Sequence, residues 1–351
     1  MDEVAALSAI CLSHLGNSLG TMANSSFSVP PNSTKVKSDV FTAAGVLVVT
    51  LTITVTVLGD CLIFAAFFSS VGIRTRANLF FLSLITADIL QAVLVMPFEM
   101  VRIIHDPEWP LSVAATKLWN SLFVCFGTAS AYNLGAIGLE RYLVISRPFE
   151  HSSGVISKKS LVAIAFIWLY AILSGIFSLS AWKTPQQDED KSGFSISLSY
   201  AIPLLILDNL LPLGVCMVTY VLIFRISLDH SYRLGLLCGW SLDGHRIRIA
   251  KEKKSIRTLS LLVGTFTVCS LPFFIFHVVD MAFNEKLPNR LYASHVVKWL
   301  CYANSACNWA LYGFLNQDFR DVLFAVCSKC QLRILSVYGR LMNSNRVEPL
   351  S

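Results

Sequence analysis

The stretch ASAYNLGAIGLERYLVISRP, Ala129–Pro148, is the part of the chain from which its fold is best understood. It is apolar through Leu139 and then carries Glu140, Arg141 and Tyr142 before a proline ends the helical pattern. A guanidinium at the end of a membrane-length apolar helix is costly unless it pairs with an acid or reaches water. The pattern indicates an ion pair at a membrane face, but an arginine that extends to the lipid headgroups would explain this stretch equally well.

The composition favours a membrane protein. The chain has 351 residues, of which 54% are hydrophobic and 14% are charged, with a mean hydropathy of +0.61. Soluble domains carry about a quarter charged residues, so this chain lies well below them. Its net charge of +6 is then a matter of membrane topology rather than of nucleic-acid binding. Membrane lipid is an expected partner, and nucleic acid is not.

The apolar residues form blocks of membrane-spanning length, for which about 20 residues are needed in a helix. Seven such blocks lie at approximately 41–68, 78–103, 117–145, 160–182, 198–225, 256–282 and 292–314. No internal repeat relates them, which weakens the alternative of a transporter built from inverted halves. The sequence therefore predicts an all-α membrane protein, a seven-transmembrane helix bundle.

Charge placement orients the bundle. Basic residues follow the first, third and fifth blocks and recur in the C-terminal tail, whereas the opposite loops are acidic or mixed. By the positive-inside rule the N-terminus is extracellular and the tail cytoplasmic, in a plasma-membrane protein. The predicted regions are a disordered extracellular N-terminus at 1–40, a transmembrane domain at 41–314, a third intracellular loop at 226–254, and a cytoplasmic helix and tail at 315–351.

Short motifs flank the bundle. The segment after the seventh block alternates apolar and charged residues at helical spacing, which predicts a short amphipathic helix on the inner membrane face. Cys327 and Cys330 just beyond it are candidates for palmitoylation. Asn24 and Asn32 fit the N-glycosylation pattern in the predicted extracellular segment.

Several polar side chains fall inside the apolar blocks, where each needs a partner or a task. We expect one polar cavity to gather Asp60, Asp88, Ser130, Asn304, Ser305 and Asn308. Such a cavity is a candidate site for a cation or a proton, and the alternative is a hydrogen-bonded water network that fixes helix packing. If Asp60 and Asp88 lie close together, two carboxylates in a low dielectric resist joint ionisation, so a proton or a cation is expected between them.

The residues match a known pattern in order and spacing. The matching pieces are LSLITAD with Asp88, GLERY with Glu140 and Arg141, Trp168, Pro212 with Tyr220, Phe266 with CSLPFF, and NSACNWALY followed by FLNQDFR. Over roughly 41–326 the chain resembles the rhodopsin-like, or class A, G-protein-coupled receptors. Within that class its resemblance to amine receptors is weak, and Trp299 and Tyr302 carry it.

The resemblance implies a non-enzymatic receptor that binds an extracellular small molecule, with an amine as the candidate class, and activates a heterotrimeric G protein. The coupling and switch residues it implies are Glu140, Arg141, Tyr142, Tyr220, Glu252, Asn308 and Tyr312. In the family, Arg141 is restrained by the two glutamates when the receptor is inactive. Outward movement of the sixth helix frees it, and the tyrosines at 220 and 312 move in. Five residues of the polar cavity match the family's site for sodium, an allosteric modulator that favours the inactive state: Asp88, Ser130, Asn304, Ser305 and Asn308.

The chain departs from the family pattern at several positions. Asp60 stands where an asparagine is usual, and Trp309 replaces the proline of the Asn-Pro-x-x-Tyr motif. Ser270 replaces the tryptophan of the sixth helix, and Thr116 stands where a disulfide cysteine is usual. These changes leave open a non-signalling or constitutively active heptahelical receptor.

The predicted ligand pocket contains Phe123, Asp208, Phe273, Phe274, His277, Trp299 and Tyr302. Amine receptors keep an aspartate where Phe123 stands, so the main ammonium anchor of that group is missing. Asp208 is a candidate substitute counter-ion, helped by cation–π contacts with aromatic rings. The alternative is that Asp208 pairs with a neighbouring residue or faces water.

Overall fold

The computed structural model describes residues 31–105, 111–146, 158–181, 198–237, 243–282, 290–315, 319–325 and 328. Regular structure in these ranges is helical, which confirms the all-α prediction for the described chain. The principal helices are α1 (Pro31–Ser69), α3 (Val113–Ser146), α4 (Lys158–Ala181), α6 (Asp243–Ala282) and α7 (Arg290–Leu315). We name as α2 the consecutive helices Arg76–Leu94 and Met96–His105, and as α5 the consecutive stretches Leu198–Pro203, Leu204–Leu210 and Leu211–Leu237.

Most of these helices are suited to a bilayer. Within the described chain, six are long and apolar enough to cross a membrane, over Asp39–Ser69, Arg76–His105, Val113–Ser146, Lys158–Ser180, Tyr200–Ile226 and Ser260–Asp280. Helix α7 is not among them, because it carries Arg290, Lys298 and several polar side chains that face the bundle. Helix α7 packs extensively against α6, whose segment Ser260–Asp280 is one of the six apolar spans.

Three helices extend beyond the apolar blocks that predict them. Residues 31–40 belong to α1, and α5 and α6 continue to Leu237 and begin at Asp243, within the predicted region 226–254. Apolarity marks only the part of a helix that lies in the membrane. Backbone hydrogen bonding continues through polar residues until a residue breaks it, so the helices are longer than their apolar blocks.

Prolines cause the irregularities in α2 and α5. The first helix of α2 ends before Val95, and the second begins at Met96, so Pro97 lies in a first turn, where a proline is tolerated. Pro212 has no N–H to bond the carbonyl of Asp208 four residues earlier, and the helix takes a π turn over Leu204–Leu210 just before it. Asp208 therefore lies in an irregular turn rather than in a uniform helix.

Helix α3 lies at the centre of the described bundle. It packs against α2, α4 and α5, while α6 packs against α7 and α5. The first turns of α1, through Gly45, belong to one compact unit, and the residues from Val46 onward belong to another. The buried side chains form two clusters, one around Trp119, Phe123 and Tyr302 and the other around Phe81 and Tyr312.

A glycine allows α4 to approach α3 closely. A Cβ atom on Gly175 would lie 2.9 Å from the Cβ of Cys125 and 3.0 Å from the carbonyl oxygen of Ser121. The indole N–H of Trp168 also donates a 3.0 Å hydrogen bond to Ser83 of α2. These contacts fix α4 against the centre of the bundle and hold its polar residues near α5.

Candidate functional site

A cavity of about 60 Å³ lies between α3, α5, α6 and α7. A cavity volume of roughly 10–15 Å³ is enough to hold one water, so this cavity has room for more than a single water. Five of the seven predicted pocket residues line it: Phe123, Asp208, Phe273, Phe274 and His277. Ser130, Asn304 and Ser305 of the predicted polar core line it too, so the cavity joins the two sites that the sequence predicts separately.

Aromatic rings form much of the cavity wall. The rings of Phe123 and Phe273 have centroids 4.9 Å apart, and Phe273 meets Phe274 edge to face at 5.2 Å. His277 packs at 4.2 Å from Phe273, and its Nδ1 donates a 2.9 Å hydrogen bond to the carbonyl of that residue. The wall is therefore mainly apolar, with few polar groups to orient a ligand.

Asp208 is the acid of this cavity wall and is 4% exposed. The hydroxyl of Tyr170 donates to its Oδ1 at 2.8 Å, and that of Ser174 donates to its Oδ2 at 2.6 Å. Thr128 of α3 also donates to this carboxylate. In the described part of the chain, the groups that bond Asp208 are thus neutral hydroxyls of α3 and α4.

A different acid, Glu99, is bonded by basic side chains of the chain itself. Glu99 accepts a 2.8 Å hydrogen bond from Nδ1 of His295, and its other oxygen lies 3.1 Å from the Lys298 ammonium. Arg102 is buried one turn further along α2 and acts on Glu99 electrostatically. The Lys298 ammonium also lies 3.8 Å from the ring centroid of Trp119. Two helices that are far apart in sequence thus share a buried ionic cluster.

Part of the predicted polar core comes together around Asp88. Ser305 donates to one carboxylate oxygen at 2.8 Å and Asn308 to the other at 2.9 Å. Asp60 is fully buried, is close enough to interact electrostatically with Asp88, and finds no hydrogen-bond partner in the described chain. The Ser130 hydroxyl and the side-chain amide oxygen (Oδ1) of Asn304 are likewise buried without a hydrogen-bond partner among the described residues.

The predicted switch residues meet in a different set of contacts. The Arg141 guanidinium donates a 3.2 Å hydrogen bond to the hydroxyl of Tyr312, and that hydroxyl donates to Oδ1 of Asn78. Glu140 is buried, and its Oε1 has no partner among the described residues. The side chain of Glu252 lies outside the described residues, so its predicted bridge to Arg141 stays a prediction.

The remaining predicted residues lie apart from these contacts. Tyr302 is buried 5.8 Å from Phe123, and Trp299 packs 5.9 Å from His295; neither lines the cavity. Tyr142 packs against the inner cluster around Tyr312, and Tyr220 stacks on Phe224. The predicted glycosylation and palmitoylation sites, Asn24, Asn32, Cys327 and Cys330, have side chains outside the described residues.

Sequence reasoning missed Asn78, Tyr170 and Ser174 as functional candidates. Each is a polar residue in an apolar block, which is the signal that selected Asp60 and Asp88. A hydroxyl in a helix often bonds only a backbone carbonyl of the same helix, so a polar residue in an apolar block is not by itself evidence of a functional role. The functional candidates are those that bond a side chain of another helix, and sequence spacing does not show which residues do so.

Comparison with known proteins agrees with this arrangement. The chain matches the family model described as 7 transmembrane receptor (rhodopsin family) over residues 59–312. It is 28% identical to the histamine H2 receptor of Cavia porcellus over 281 residues, which cover 78% of this chain and 76% of that receptor. It is 26% identical to the octopamine receptor beta-2R of Chilo suppressalis over 321 residues, covering 81% and 80%. It is 28% identical to the D(1B) dopamine receptor of Xenopus laevis over 334 residues, covering 83% and 72%.

Proposed function

Because the chain belongs to the rhodopsin family of seven-transmembrane receptors, and is therefore a G-protein-coupled receptor for a ligand, we propose that its ligand is a small amine held by Asp208. The relatives named above support this ligand class, since they are receptors for histamine, octopamine and dopamine. The ligand would activate a heterotrimeric G protein through the Arg141 end of the bundle.

The environment of Asp208 carries the proposal. This acid lies in the cavity wall, and the groups that bond it among described residues are neutral hydroxyls. A buried carboxylate without a cation is costly, and a ligand ammonium would supply the missing charge. An ionised carboxylate has about four lone-pair sites, so the hydroxyls of Tyr170, Ser174 and Thr128 leave capacity for one more donor.

The cavity suits the rest of such a ligand. Phe123, Phe273 and Phe274 offer ring faces and edges to an aromatic or imidazole group and cation–π support to an ammonium. Glu99 is a poorer anchor, because Lys298 and His295 already occupy both of its oxygens. Asp208 on α5 would therefore be the counter-ion of the ligand ammonium, which in amine receptors is an aspartate at the position of Phe123.

At the other end of the bundle we place the G protein. Arg141 donates a hydrogen bond there to Tyr312 of α7, and a contact that differs between two states of the bundle is one that a bound partner can favour. We also propose a plasma-membrane protein with an extracellular N-terminus, on the basis of the basic residues that follow alternate apolar blocks. Antibody access to tags at the two termini of intact cells tests that orientation.

We further propose that the polar core binds sodium. The buried oxygens of Asp60, Ser130 and Asn304, which have no partner among described residues, are the donors that a hard cation prefers. Asp88 would supply the main negative charge, with its orientation fixed by Ser305 and Asn308. The bound ion would favour the state in which the G protein is not activated.

The test of the ligand site is nucleotide exchange on a panel of purified G proteins, with receptor in lipid nanodiscs and histamine, octopamine and dopamine as the first amines. Asp208→Asn keeps the shape and the hydrogen-bonding oxygen of this side chain but removes its charge. We expect amine potency to fall by about 100-fold, as for loss of one partner of a buried charged pair.

Asp280→Asn is the matched control. Asp280 is also a buried acid, but it already pairs with Arg290 at 2.7 Å. Amine potency should stay within a few-fold of the wild-type value in this variant. Equal potency of Asp208→Asn and wild type would refute Asp208 as the anchor, and activity that survives in Arg141→Ala would refute coupling through the Arg141 end.

A further inference from the structure

A second acid of the bundle holds a cation that belongs to the chain itself. The Glu99 carboxylate of α2 lies 3.1 Å from the Lys298 ammonium of α7. That ammonium lies 3.8 Å from the ring centroid of Trp119 and 5.6 Å from that of Phe123, both on α3. One carboxylate and two aromatic rings therefore surround the end of this lysine. We call Glu99, Trp119 and Phe123 the Glu99 cage.

The cage is buried and held in place by its surroundings. Glu99 is 0% exposed and Lys298 is 1% exposed. Trp119 is oriented by the 3.1 Å hydrogen bond from its indole N–H to the carbonyl of Val95, at the break in α2. His295 fixes the second oxygen of Glu99 at 2.8 Å. The cage therefore does not depend on Lys298 alone for its geometry.

This set of groups has the chemistry of an amine-binding site. A carboxylate forms a charge-assisted hydrogen bond with an ammonium, and aromatic faces attract the same cation through their quadrupoles. We propose that the Glu99 cage is a binding site for a primary alkylammonium and that Lys298 is the ligand the native chain keeps in it. A free amine must compete with a tethered ammonium at high effective concentration, so the site is closed to outside ligands.

The cage also adjoins the central cavity. Phe123 belongs to both, and Cys301, which lines the cavity, lies one turn from Lys298 on α7. Removal of the Lys298 side chain should therefore open the cage toward the cavity and let a small free amine enter. This inference concerns Glu99 and does not depend on whether Asp208 binds the ligand of the receptor.

Chemical rescue tests the inference. Lys298→Ala removes Cγ, Cδ, Cε and Nζ, and n-propylammonium supplies the same atoms. We expect this variant to show a lower yield of folded receptor and a melting temperature lower by roughly 10 °C, because it takes from buried Glu99 the ammonium in contact with it and leaves Arg102, one turn along α2, as the remaining cation. Addition of n-propylammonium during expression should raise the yield of this variant several-fold. Its addition during heating should recover much of the lost melting temperature.

Fluorescence-detected size-exclusion chromatography of a tagged receptor measures both quantities without any known ligand. A variant that folds poorly is still informative, since its yield with and without the amine is the quantity compared. The neutral isostere n-propanol should not rescue it, because it carries no charge for Glu99. Lys117→Ala, which removes a half-buried lysine from α3, is the matched control and should not respond to the amine.

A double variant assigns any rescue to Glu99. In Glu99→Gln/Lys298→Ala the carboxylate is gone, so n-propylammonium should have no more effect than n-propanol. Failure of the amine to raise either the yield or the melting temperature of Lys298→Ala would overturn the inference. Equal effects of the amine on the double variant, or of n-propanol on Lys298→Ala, would overturn it too.

Discussion

At the scale of single residues, the hydroxyl of Tyr312 links two helices to the arginine of α3. It accepts a hydrogen bond from Arg141 and donates one to Asn78, so it uses both of its hydrogen-bonding roles. The ring of Tyr312 is stacked on Phe81 with centroids 3.7 Å apart. Packing therefore fixes the position of the hydroxyl, and the hydroxyl fixes the guanidinium. In the family that this chain belongs to, the tyrosine of α7 supports the open cleft.

We therefore expect Tyr312→Phe to lower ligand-independent nucleotide exchange on the G protein. The change keeps the ring on Phe81 but removes about 1 kcal/mol of hydrogen bonding per contact, which corresponds to a rate lower by roughly five-fold for each of the two bonds that favours the open cleft. A fluorescent guanine-nucleotide exchange assay measures this rate.

Asn78→Leu removes the acceptor of the tyrosine and should act in the same direction. Tyr200→Phe is the control, because Tyr200 contacts the ring of Phe177 at the far end of the bundle. An unchanged or raised rate in Tyr312→Phe would show that this hydroxyl does not stabilise the open cleft.

At the scale of helices, α1 and α7 meet at a point where the chain departs from its family. Trp309 stands where the family has a proline, and α7 runs as a continuous helix from Arg290 to Leu315. The indole of Trp309 lies against Gly59 so closely that a Cβ on this glycine would overlap two of the ring carbons. A glycine on α1 and a large ring on α7 therefore form one complementary contact.

Gly59→Ala should destabilise the receptor by about 1–3 kcal/mol, the usual cost of overpacking a closely packed site. The melting temperature in detergent checks this. In the background of Trp309→Ala the same glycine substitution should cost much less, because the ring is no longer there.

Gly214→Ala is the matched control, since a Cβ at Gly214 of α5 meets no atom within 4 Å. Alanine is the better helix former, so this variant should be as stable as the wild type or slightly more stable. Equal costs of Gly59→Ala with and without Trp309 would mean that the two residues are not coupled.

At the scale of the whole molecule, one cavity connects the proposed amine site with the proposed sodium site. Asp208 and Phe273 line it together with Ser130, Asn304 and Ser305. When two ligands prefer different states of one bundle, each lowers the binding affinity of the other, and the two affinities fall by the same factor. Sodium in the polar core and an amine at Asp208 are therefore expected to be linked negatively.

We predict that sodium reduces amine potency in the wild type and that Asp60→Asn weakens this effect several-fold. Asp60 is a buried acid close to Asp88, so its charge would contribute to the attraction of the ion. Dose–response curves in sodium chloride and in N-methylglucamine chloride, at equal ionic strength, separate sodium from general screening.

Asp280→Asn again serves as the control, because this acid is paired with Arg290. A sodium effect of the same size in wild type and Asp60→Asn would exclude Asp60 from the ion site. No sodium effect in the wild type would remove the proposed ion itself.

The sequence by itself determined the class and the fold of this protein. A membrane-spanning helix must be apolar over its buried length and satisfy its own backbone, so composition and block length report the helices directly. The motif around Arg141 then identified the family, and polar residues at membrane depth identified Asp60, Asp88 and Asp208 as candidates. Helix ends were less certain, since polar residues continue a helix beyond the bilayer.

Only the tertiary structure decided which charged groups meet. Glu99 and Lys298 are far apart in sequence, and no periodicity within one helix predicts that they lie 3.1 Å apart. The structure gives Glu99 a cation from the chain and Asp208 neutral hydroxyls, although both are single acids in apolar blocks. The physical reason is that a side chain's partner in a bundle depends on the rotation, depth and breaks of neighbouring helices, which local sequence does not specify.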